Sequence, residues 1–376
     1  MSRYLTARGN NVTILVTADK RKIRIKKEIV EGVEVIEIPD LLWDKFRSGW
    51  DIWSGIVRLI YLMKNGKRFD VIHIFESRPS VIHPVQIMRL FYKTPVVIDW
   101  VDWIGHGGIL EVLRPAWYRV IFGNFETFYE EHFKKKFEGV TVICEALKNR
   151  AIDLGIKNEF ILKIPVGSEV IHDTVGMIKI KNREILGIDT NHKILAFSSV
   201  DAFFDFPIIL EILKLLLEED ENYRLMVTGN TGSNILKLIR ENNLKERVLL
   251  TGFLPYEKFY SYLACADIFL LPFPDTIYNR GRWPSKINDY LVVGRPVITN
   301  AVGDLIDLFS NYRIGATVDY NAKDFAIEIS KIFSDEKLYD EYCQNAIFVA
   351  KNVLSWPKLV IELEQFYSKF TDNTNE

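Results

Sequence analysis

Residues 248–300 read VLLTGFLPYEKFYSYLACADIFLLPFPDTIYNRGRWPSKINDYLVVGRPVITN. The apolar runs at 248–251, 268–272 and 297–299 predict buried parallel strands. A loop with two arginines follows the second run, and Pro284-Ser285-Lys286 then opens a helix. A strand, a basic loop and a helix N-terminus in that order form an anion site. The segment therefore predicts a ligand that carries phosphate.

The same alternation of short apolar runs and helix-length amphipathic segments extends along most of the chain, which is the βαβ pattern of doubly wound sheets. The strands predicted in the first half are 12–16, 33–38, 71–75, 96–99, 140–144 and 160–164. Those predicted in the second half are 194–197, 223–228, 248–251, 268–271, 297–299 and 316–318. The sequence thus predicts an α/β protein with two Rossmann-like, doubly wound domains.

A polar, poorly periodic stretch between Val166 and Lys193 interrupts the series and predicts the domain linker. We place the first domain at 1–166 and the second at 176–353. Two such domains facing a cleft would bind a ligand at the carboxyl ends of their strands. A long amphipathic helix at 339–352, a break at Trp356-Pro357 and a second helix complete the pattern.

The beginning of the chain predicts the end of a helix with a glycine C-cap, at residues 1–11, that leads into the strand 12–16. A doubly wound domain usually has a strand before that helix, in the middle of its sheet. That first strand is missing here. Either the protein starts further upstream, which we favour, or a later segment fills the position.

Composition is that of an ordinary globular protein of 376 residues with a formal net charge of −2. The charge is uneven, because residues 1–165 hold 26 Lys and Arg against 20 Asp and Glu. This indicates either an anionic partner, such as a membrane surface, a lipid phosphate or a nucleotide, or a chance surface charge. Three cysteines without metal-ligand spacing indicate buried thiols in a reducing, cytoplasmic compartment. No window of the sequence is apolar enough to predict a transmembrane helix.

Several motifs resemble one known family when taken in order. They are Leu5-Thr6-Ala7-Arg8-Gly9-Asn10-Asn11-Val12, the pair 140–145 and 164–168, Arg247-Val248 through Gly252-Phe253, 264–272, and 284–297. Together they resemble the GT-B glycosyltransferases of family 4, which are retaining enzymes, and the resemblance covers nearly the whole chain.

This resemblance implies that a sugar moves from a nucleotide-sugar, here a UDP-sugar, to a glycan or lipid-linked oligosaccharide. The donor would bind in the second domain and the acceptor mostly in the first, with no bound metal or other cofactor and no nucleic acid partner. The last helix of such enzymes usually crosses back to the first domain, which predicts that 355–371 joins it.

The donor site implied by the resemblance lies at the start of the helix after the basic loop. Lys286 and Ser285 would hold phosphate at the helix N-terminus, and Arg280 and Arg282 could clamp phosphate oxygens. Asp289, one turn later, would accept hydrogen bonds from ribose hydroxyls. The alternatives are a solvated lysine, exposed loop arginines and an i,i+3 surface ion pair.

Phe253 and Leu254 match the loop on the nucleobase side in this family, with a plain strand-to-helix turn as the alternative, and Gly229 begins a turn that resembles the family's G-x-G turn. Two departures from the family pattern stand out. Gly281 occupies the position of the first glutamate of its E-x7-E motif, and the loop 198–205 carries no cation where the family has Arg and Lys. The loop arginines would have to compensate.

The acceptor site is predicted after the strand at 96–99, where Asp99, Trp100, Asp102, Trp103 and His106 fall within eight residues. Aromatic rings stack on sugar faces, and Asp or His can orient or deprotonate an acceptor hydroxyl. We assign the catalytic role to the two acids and the histidine and acceptor binding to the tryptophans; a purely structural loop is the alternative.

Glu76 and Arg78 also follow a strand and are predicted to bind acceptor, with a solvated loop pair as the alternative. The segment 114–137 mixes aromatic with basic residues and ends in Lys134-Lys135-Lys136. It predicts either a helix that docks on the cytoplasmic face of an anionic membrane or a core-facing helix with a cationic last turn.

Three functions therefore stay open on the sequence. The first is the glycosyltransferase; the second is a catalytically silent relative that acts as a binding or scaffold subunit, suggested by the two departures. The third is a sugar-nucleotide epimerase of the same fold, which would turn over without an acceptor.

Overall fold

The computed structural model describes residues 1–18, 22–41, 49–75, 77–169, 179–198 and 205–371. The chain forms two compact units. Unit 1 comprises Met1–Pro165, Gly281–Trp283 and Trp356–Glu376. Unit 2 comprises Val166–Arg280 and Pro284–Ser355.

Unit 1 contains two sheets. Its strands are β1 Thr13–Thr17, β2 Lys26–Val30, β3 Val33–Ile38, β4 Ile72–Ile74, β5 Val96–Trp100, β6 Gly139–Val142 and β7 Ile161–Lys163. Its first helices are α1 Ser2–Ala7, α2 Ile52–Asn65, α3 Pro79–Met88, α4 Ile109–Leu113, α5 Ala116–His132 and α6 Glu145–Asp153. One sheet has the order β1-β3-β2 and the other the order β4-β5-β6-β7, parallel throughout except for the antiparallel pair β2 and β3.

Unit 2 contains one parallel sheet. Its strands are β8 Lys193–Ser198, β9 Tyr223–Thr228, β10 Val248–Gly252, β11 Ile268–Leu271, β12 Val297–Thr299 and β13 Gly315–Thr317. Its helices are α7 Lys179–Ile185, α8 Phe206–Glu219, α9 Ser233–Glu241, α10 Tyr256–Leu263, α11 Ile277–Arg280, α12 Lys286–Val293, α13 Leu305–Tyr312, α14 Ala322–Ser334 and α15 Glu336–Asn352. The strand order β10-β9-β8-β11-β12-β13 reverses between β8 and β11, as in a Rossmann domain.

The predicted doubly wound α/β class is confirmed. Predicted strands of the second half agree with the structure to within one residue at each end, and those of the first half to within two. The strand β2 was not predicted, because all five of its residues are exposed and three of them are charged, so it shows no apolar pattern. β1 and β4 each lie at an edge of their sheet; an additional strand before residue 1 stays a prediction.

The core of unit 2 lies between its sheet and the helices α8 and α14. The α8 residues Ile209, Leu213 and Leu216 follow helical spacing and are fully buried against strand residues such as Phe197 and Leu270. Each such side chain contributes roughly 1.5–3 kcal/mol to folding by leaving water. This packing fixes the sheet whose strand ends carry the candidate donor site.

The final helix, α16 Trp356–Thr371, packs within unit 1. Val360 and Leu363 pack with Leu5 of α1, and the Arg8 guanidinium donates to Glu364 at 2.6 Å. Pro357 is tolerated in the first turn of α16, because a backbone N–H there would have no hydrogen-bond partner within the helix.

Candidate active site

Lys286 lies at the point in unit 2 where the strand order reverses. It is the first residue of α12, and its ammonium nitrogen is 4.3 Å from the centroid of the Phe197 ring on β8. Phe197 is fully buried, so the ring holds the cation close to the carboxyl end of the sheet. Ligands of open α/β sheets bind at such reversal points, and α12 adds its positive end there.

The position of α12 is set by its buried side. The ring of Tyr290 stacks on Phe269 of β11 at 4.0 Å, and its hydroxyl accepts a hydrogen bond from the Ser198 N–H at 2.9 Å. Gly294 ends the helix in the left-handed region, at φ +72°, where a Cβ would come within 2.5 Å of the Ile347 side chain. These contacts fix the register of the helix and thus the place of Lys286.

Asp289 lies one turn after Lys286 on α12. The Tyr260 hydroxyl donates to its carboxylate at 2.7 Å, and burial raises the pKa of Asp289 above its usual value. A carboxylate that loses water is a strong acceptor for the hydroxyl groups that replace it. The structure therefore places both predicted α12 residues, three positions apart, on one face of the helix. Ser285 immediately precedes the helix and is exposed.

The two loop arginines lie in different units. Arg280, in unit 2, forms a two-armed ion pair with Asp275 at 2.5 and 2.6 Å, and the hydrogen bond from Arg280 lowers the pKa of Asp275. Both side chains are exposed, so the pair contributes little to stability and an anion could replace Asp275. Arg282, in unit 1, pairs through its backbone with Asp102.

The turns predicted to face the nucleobase meet at the ends of β9 and β10. The Gly229 N–H donates to the Gly252 carbonyl at 2.9 Å, and both glycines have positive φ. Phe253 is exposed and Leu254 is partly buried. Their backbone groups lie at the carboxyl edge of the sheet, where a base could be read.

Two of the sequence predictions concern residues outside the described part of the chain. They are Glu76 and the segment 199–204, which follows β8 and contains most of the loop without cations. What was predicted for Glu76 and for this segment therefore stays a prediction.

A buried carboxylate, Glu130, organises the loop that follows β5 in unit 1. It is 2% exposed and accepts from the Trp100 indole N–H at 2.7 Å, the Ile104 N–H at 2.9 Å and the Gly105 N–H. The Arg150 guanidinium donates to it at 3.2 Å and lies 4.1 Å from the Trp103 ring centroid. Sequence reasoning missed Glu130 and Arg150, because neither belongs to a local motif.

These contacts separate the two predicted acceptor tryptophans. Trp100 is 1% exposed and is held by Glu130, so this conformation presents no ring face to an acceptor. Trp103 is partly exposed; its indole N–H donates to the His106 carbonyl at 2.9 Å, and its backbone N–H donates to the Gly281 carbonyl. Trp103 is therefore the tryptophan that could stack on a sugar.

Asp99 is buried beneath the loop rather than exposed above it. Its carboxylate accepts from the Thr141 hydroxyl, and Thr141 is also 3.0 Å from the His73 imidazole. Burial raises the pKa of Asp99 to about 6, although the Thr141 hydrogen bond and the nearby Lys134 ammonium oppose the shift. In this conformation the side chain has no open path to a substrate, so a direct catalytic role would require rearrangement.

Lys134, the first of the three lysines that end the segment 114–137, is buried. The side chain is 2% exposed, and its ammonium donates to the Asp99 carbonyl and lies over the Trp100 ring. Lys135 and Lys136 are exposed.

His106 lies on the surface of unit 1. Its two ring nitrogens are 2.9 Å from Asn124 and 3.3 Å from Glu111, and these two contacts raise the pKa of the imidazole. Arg78, also predicted to bind acceptor, is instead mostly buried in an ion pair with Glu126 at 3.0 Å. The structure thus leaves Trp103, Asp102 and Arg282 as neighbours; His106 contacts Trp103 only through its backbone carbonyl, and Arg78 is held by Glu126.

Among the described residues there is no cluster of three or more His, Cys, Asp or Glu that could hold a metal ion. In the same part of the chain, no helix has both the length and the apolar character needed to cross a bilayer.

Two family models match the chain and together span most of it. The model of glycosyl transferases group 1 matches residues 179–347, and the model of glycosyltransferase family 4 matches residues 1–168. The chain belongs to the GT-B glycosyltransferases of this type. No curated protein sequence matches it significantly.

Solved structures with the same fold agree with this glycosyltransferase assignment. Sucrose-phosphate synthase from Thermosynechococcus elongatus has a TM-score of 0.76 at 15% identity, over 99% of this chain and 92% of its own. WaaG, a glycosyltransferase of lipopolysaccharide biosynthesis, has a TM-score of 0.67 at 15% identity, over 96% and 93%. Anabaena HepE in complex with UDP and glucose has a TM-score of 0.63 at 15% identity, over 90% and 86%.

Replacing Glu130 with glutamine should destabilise unit 1 of the glycosyltransferase. The amide offers one acceptor oxygen where the carboxylate accepts from four donors, and the change removes one of the two carboxylate partners of the mostly buried Arg150. We therefore expect a loss of about 3 kcal/mol. Urea unfolding followed by tryptophan fluorescence measures it. Glu131→Gln, which removes the neighbouring partner of Arg150, is the matched control and should lose less than about 1 kcal/mol. Equal losses in the two variants would show that Glu130 has no special role.

Asp99→Asn should stabilise the protein at neutral pH and not at acid pH. The folded pKa of about 6 exceeds the ordinary value, so the folded state binds the proton more tightly and stability falls as pH rises between about 4 and 6. At neutral pH the ionised Asp99 carboxylate lowers the free energy of unfolding by roughly 3 kcal/mol, and the neutral amide of asparagine avoids this loss. Melting temperatures at about pH 4 and pH 8 test this, with exposed Asp153→Asn as control. The same Asp99→Asn difference at both pH values would contradict the burial effect.

Proposed function

We propose that the protein transfers a hexosyl group from a UDP-sugar to a glycan or lipid-linked oligosaccharide, with retention of configuration at the anomeric carbon. The observation that carries the proposal is Lys286 at the N-terminus of α12, beside Phe197 at the reversal point of the sheet. The complex of HepE with UDP and glucose, a structure of the same fold, supports the choice of donor.

In this proposal the leaving diphosphate is stabilised by charges that the chain supplies. The Lys286 ammonium and the first amides of α12 face the phosphate oxygens, and their effect grows as negative charge develops on the leaving group. Asp289 accepts from the ribose hydroxyls, and the backbone near Gly252 contacts the base. No metal cofactor has a role in this scheme, and the expected front-face reaction assigns no nucleophile to the protein.

The acceptor half of the proposal rests on unit 1. Trp103 is partly exposed, Arg150 stacks on it, and Asp102 lies next to it in the chain. A tryptophan backed by a cation offers a sugar a stacking surface, and a neighbouring carboxylate can accept from its hydroxyls. WaaG, a structure of the same fold, is involved in lipopolysaccharide biosynthesis, which supports a lipid-linked acceptor.

The catalytically silent relative is the second candidate, and two observations favour it. Gly281 replaces the expected glutamate and is buried, and Arg280 is already engaged by Asp275. Titration calorimetry with UDP and a hydrolysis assay with UDP-sugars distinguish the two. We expect binding at micromolar to millimolar UDP and slow hydrolysis; no binding at millimolar UDP would exclude the enzyme. With an acceptor present, the anomeric signal of the product in proton NMR tests retention.

Lys286→Ala should weaken UDP binding by roughly ten- to a hundredfold, because it removes a charge-assisted contact worth about 1.5–3 kcal/mol. Calorimetry with UDP measures the effect. Lys323→Ala, an exposed lysine in the first turn of α14, is the matched control and should bind UDP as the wild type does. Unchanged affinity of Lys286→Ala would refute the assigned phosphate site.

Asp289→Asn should weaken UDP binding by roughly tenfold. The binding of an analogue that lacks the ribose hydroxyls should stay unchanged. The carboxylate accepts from ribose hydroxyls in the proposal, and an amide oxygen accepts less strongly. Calorimetry with UDP and with 2′,3′-dideoxy-UDP separates this contact from general damage. If both ligands lose the same affinity in the variant, Asp289 does not contact the ribose.

A further inference from the structure

The helix α5 places two carboxylates on its inward side and most of its large apolar residues on its outward side. Its buried positions are Gly123, Glu126, Tyr129 and Glu130. Its exposed positions include six large apolar side chains, most of them three or four positions from another, namely Trp117, Val120, Ile121, Phe122, Phe125 and Phe128. A helix that faces water has the opposite arrangement. The outward side of α5 is therefore composed for an apolar environment.

The helix α2 also has an exposed apolar side, although its buried side is mixed and includes Val57, Tyr61 and Leu62. Ile52, Ile56 and Ile60 are exposed at intervals of four residues, whereas Ser54 and Arg58 are buried. Ile52 is 79% exposed and Val120 of α5 is 83% exposed, which are high values for aliphatic side chains.

Contacts join the three helices α2, α3 and α5 into one layer. α2 packs along α3, and Trp50, which precedes α2, stacks on Phe125 of α5 at 4.9 Å. The Tyr92 hydroxyl, just after α3, donates to the Met63 carbonyl of α2 at 2.8 Å. The turn after α3 adds Leu90 and Phe91, which are also exposed. We call the exposed apolar side chains of α2, α5 and this turn the apolar outer face.

Cations gather where these three helices end. Exposed lysines and arginines lie in the last turn of a helix or just after it, namely Lys64, Lys67, Arg68, Lys93, Lys135 and Lys136. The Arg89 guanidinium donates to the Lys136 carbonyl at 3.0 Å, so the end of α3 lies beside the turn after α5. Because the helices run in the same direction along a parallel sheet, their cationic ends form one edge of the apolar outer face.

We propose that the apolar outer face docks on a lipid bilayer that contains anionic lipids. The inference deepens the proposed function, and it rests on that function for the lipid-linked acceptor. Aromatic and aliphatic side chains enter the boundary between headgroups and acyl chains, while lysines and arginines bind lipid phosphate. A second copy of the chain would present the same basic edge, so it offers the cations no opposite charge, whereas an anionic bilayer matches both features.

Vesicle flotation tests the proposal with the full chain. The wild type should bind vesicles of phosphatidylcholine mixed with phosphatidylglycerol and bind phosphatidylcholine alone more weakly. Val120→Asp should lower binding by at least about tenfold, because it places a charge at the most exposed apolar position of α5. Ile306→Asp, the same kind of change at an exposed position of α13 in unit 2, should bind as the wild type does. Lys135→Glu with Lys136→Glu should remove the preference for anionic vesicles.

Two results would overturn the proposal. One is a wild type that binds neither kind of vesicle; the other is equal binding by Val120→Asp and Ile306→Asp. Sedimentation velocity adds a third, a wild-type dimer that Val120→Asp dissociates without any vesicle binding, which would assign the face to a second copy. Melting temperatures confirm that each variant is folded.

UDP binding and donor hydrolysis in the absence of vesicles separate this inference from the proposed function. Val120→Asp should retain both at wild-type levels, because the residue lies outside the proposed donor site. Vesicle binding without UDP binding would reject the proposed function and keep the docking surface. UDP binding and hydrolysis without vesicle binding would reject the docking surface alone.

Discussion

The central strands β11 and β12 of unit 2 are buried along their whole length, and this constraint decides where chemistry can occur. Ile268–Leu271 and Val297–Thr299 have no exposed residue, because helices cover both faces of such sheets. A polar group within these strands would lose its hydration and need a partner, so functional groups collect at the strand ends. The stacking of Tyr290 on Phe269 extends this core into α12 and thereby sets the position of Lys286.

Unit 1 differs from unit 2 in that it has polar groups in its interior, because α5 places carboxylates there. Hydrogen bonds from the loop after β5 offset the free-energy cost of burying Glu130. Hydrogen bonds from Arg78 and the Tyr118 hydroxyl do the same for Glu126. Because these carboxylates occupy much of the inward side of α5, most of its large apolar residues lie outward. The loop that contains the acceptor candidates and the apolar outer face are thus two results of one arrangement.

The sequence indicates which donor candidates lie together better than it does for the acceptor candidates, and the reason is physical; the roles of both sets stay predictions. Lys286 and Asp289 share one helix turn, so their spacing alone places them on one face. By contrast, Glu130 and Arg150 reach the loop at Trp100 and Trp103 from distant segments, and no local pattern reveals such contacts. Lys134 shows the same limit, since a run of three lysines predicts exposure and only the fold shows that the first one binds the Asp99 carbonyl.

The two arginines of the loop 280–282 are not equivalent as replacements for the Arg and Lys that the family has after β8. Arg280 belongs to unit 2 with Lys286, and its present partner, Asp275, is exposed and exchangeable. Arg282 belongs to unit 1, where its backbone is paired with Asp102. A phosphate held at α12 can therefore recruit Arg280 by displacing one exposed carboxylate, whereas recruiting Arg282 depends on the segment of unit 1 that holds it. Of the two arginines, Arg280 is the one whose present contact, an exposed ion pair with Asp275, takes the least free energy to break.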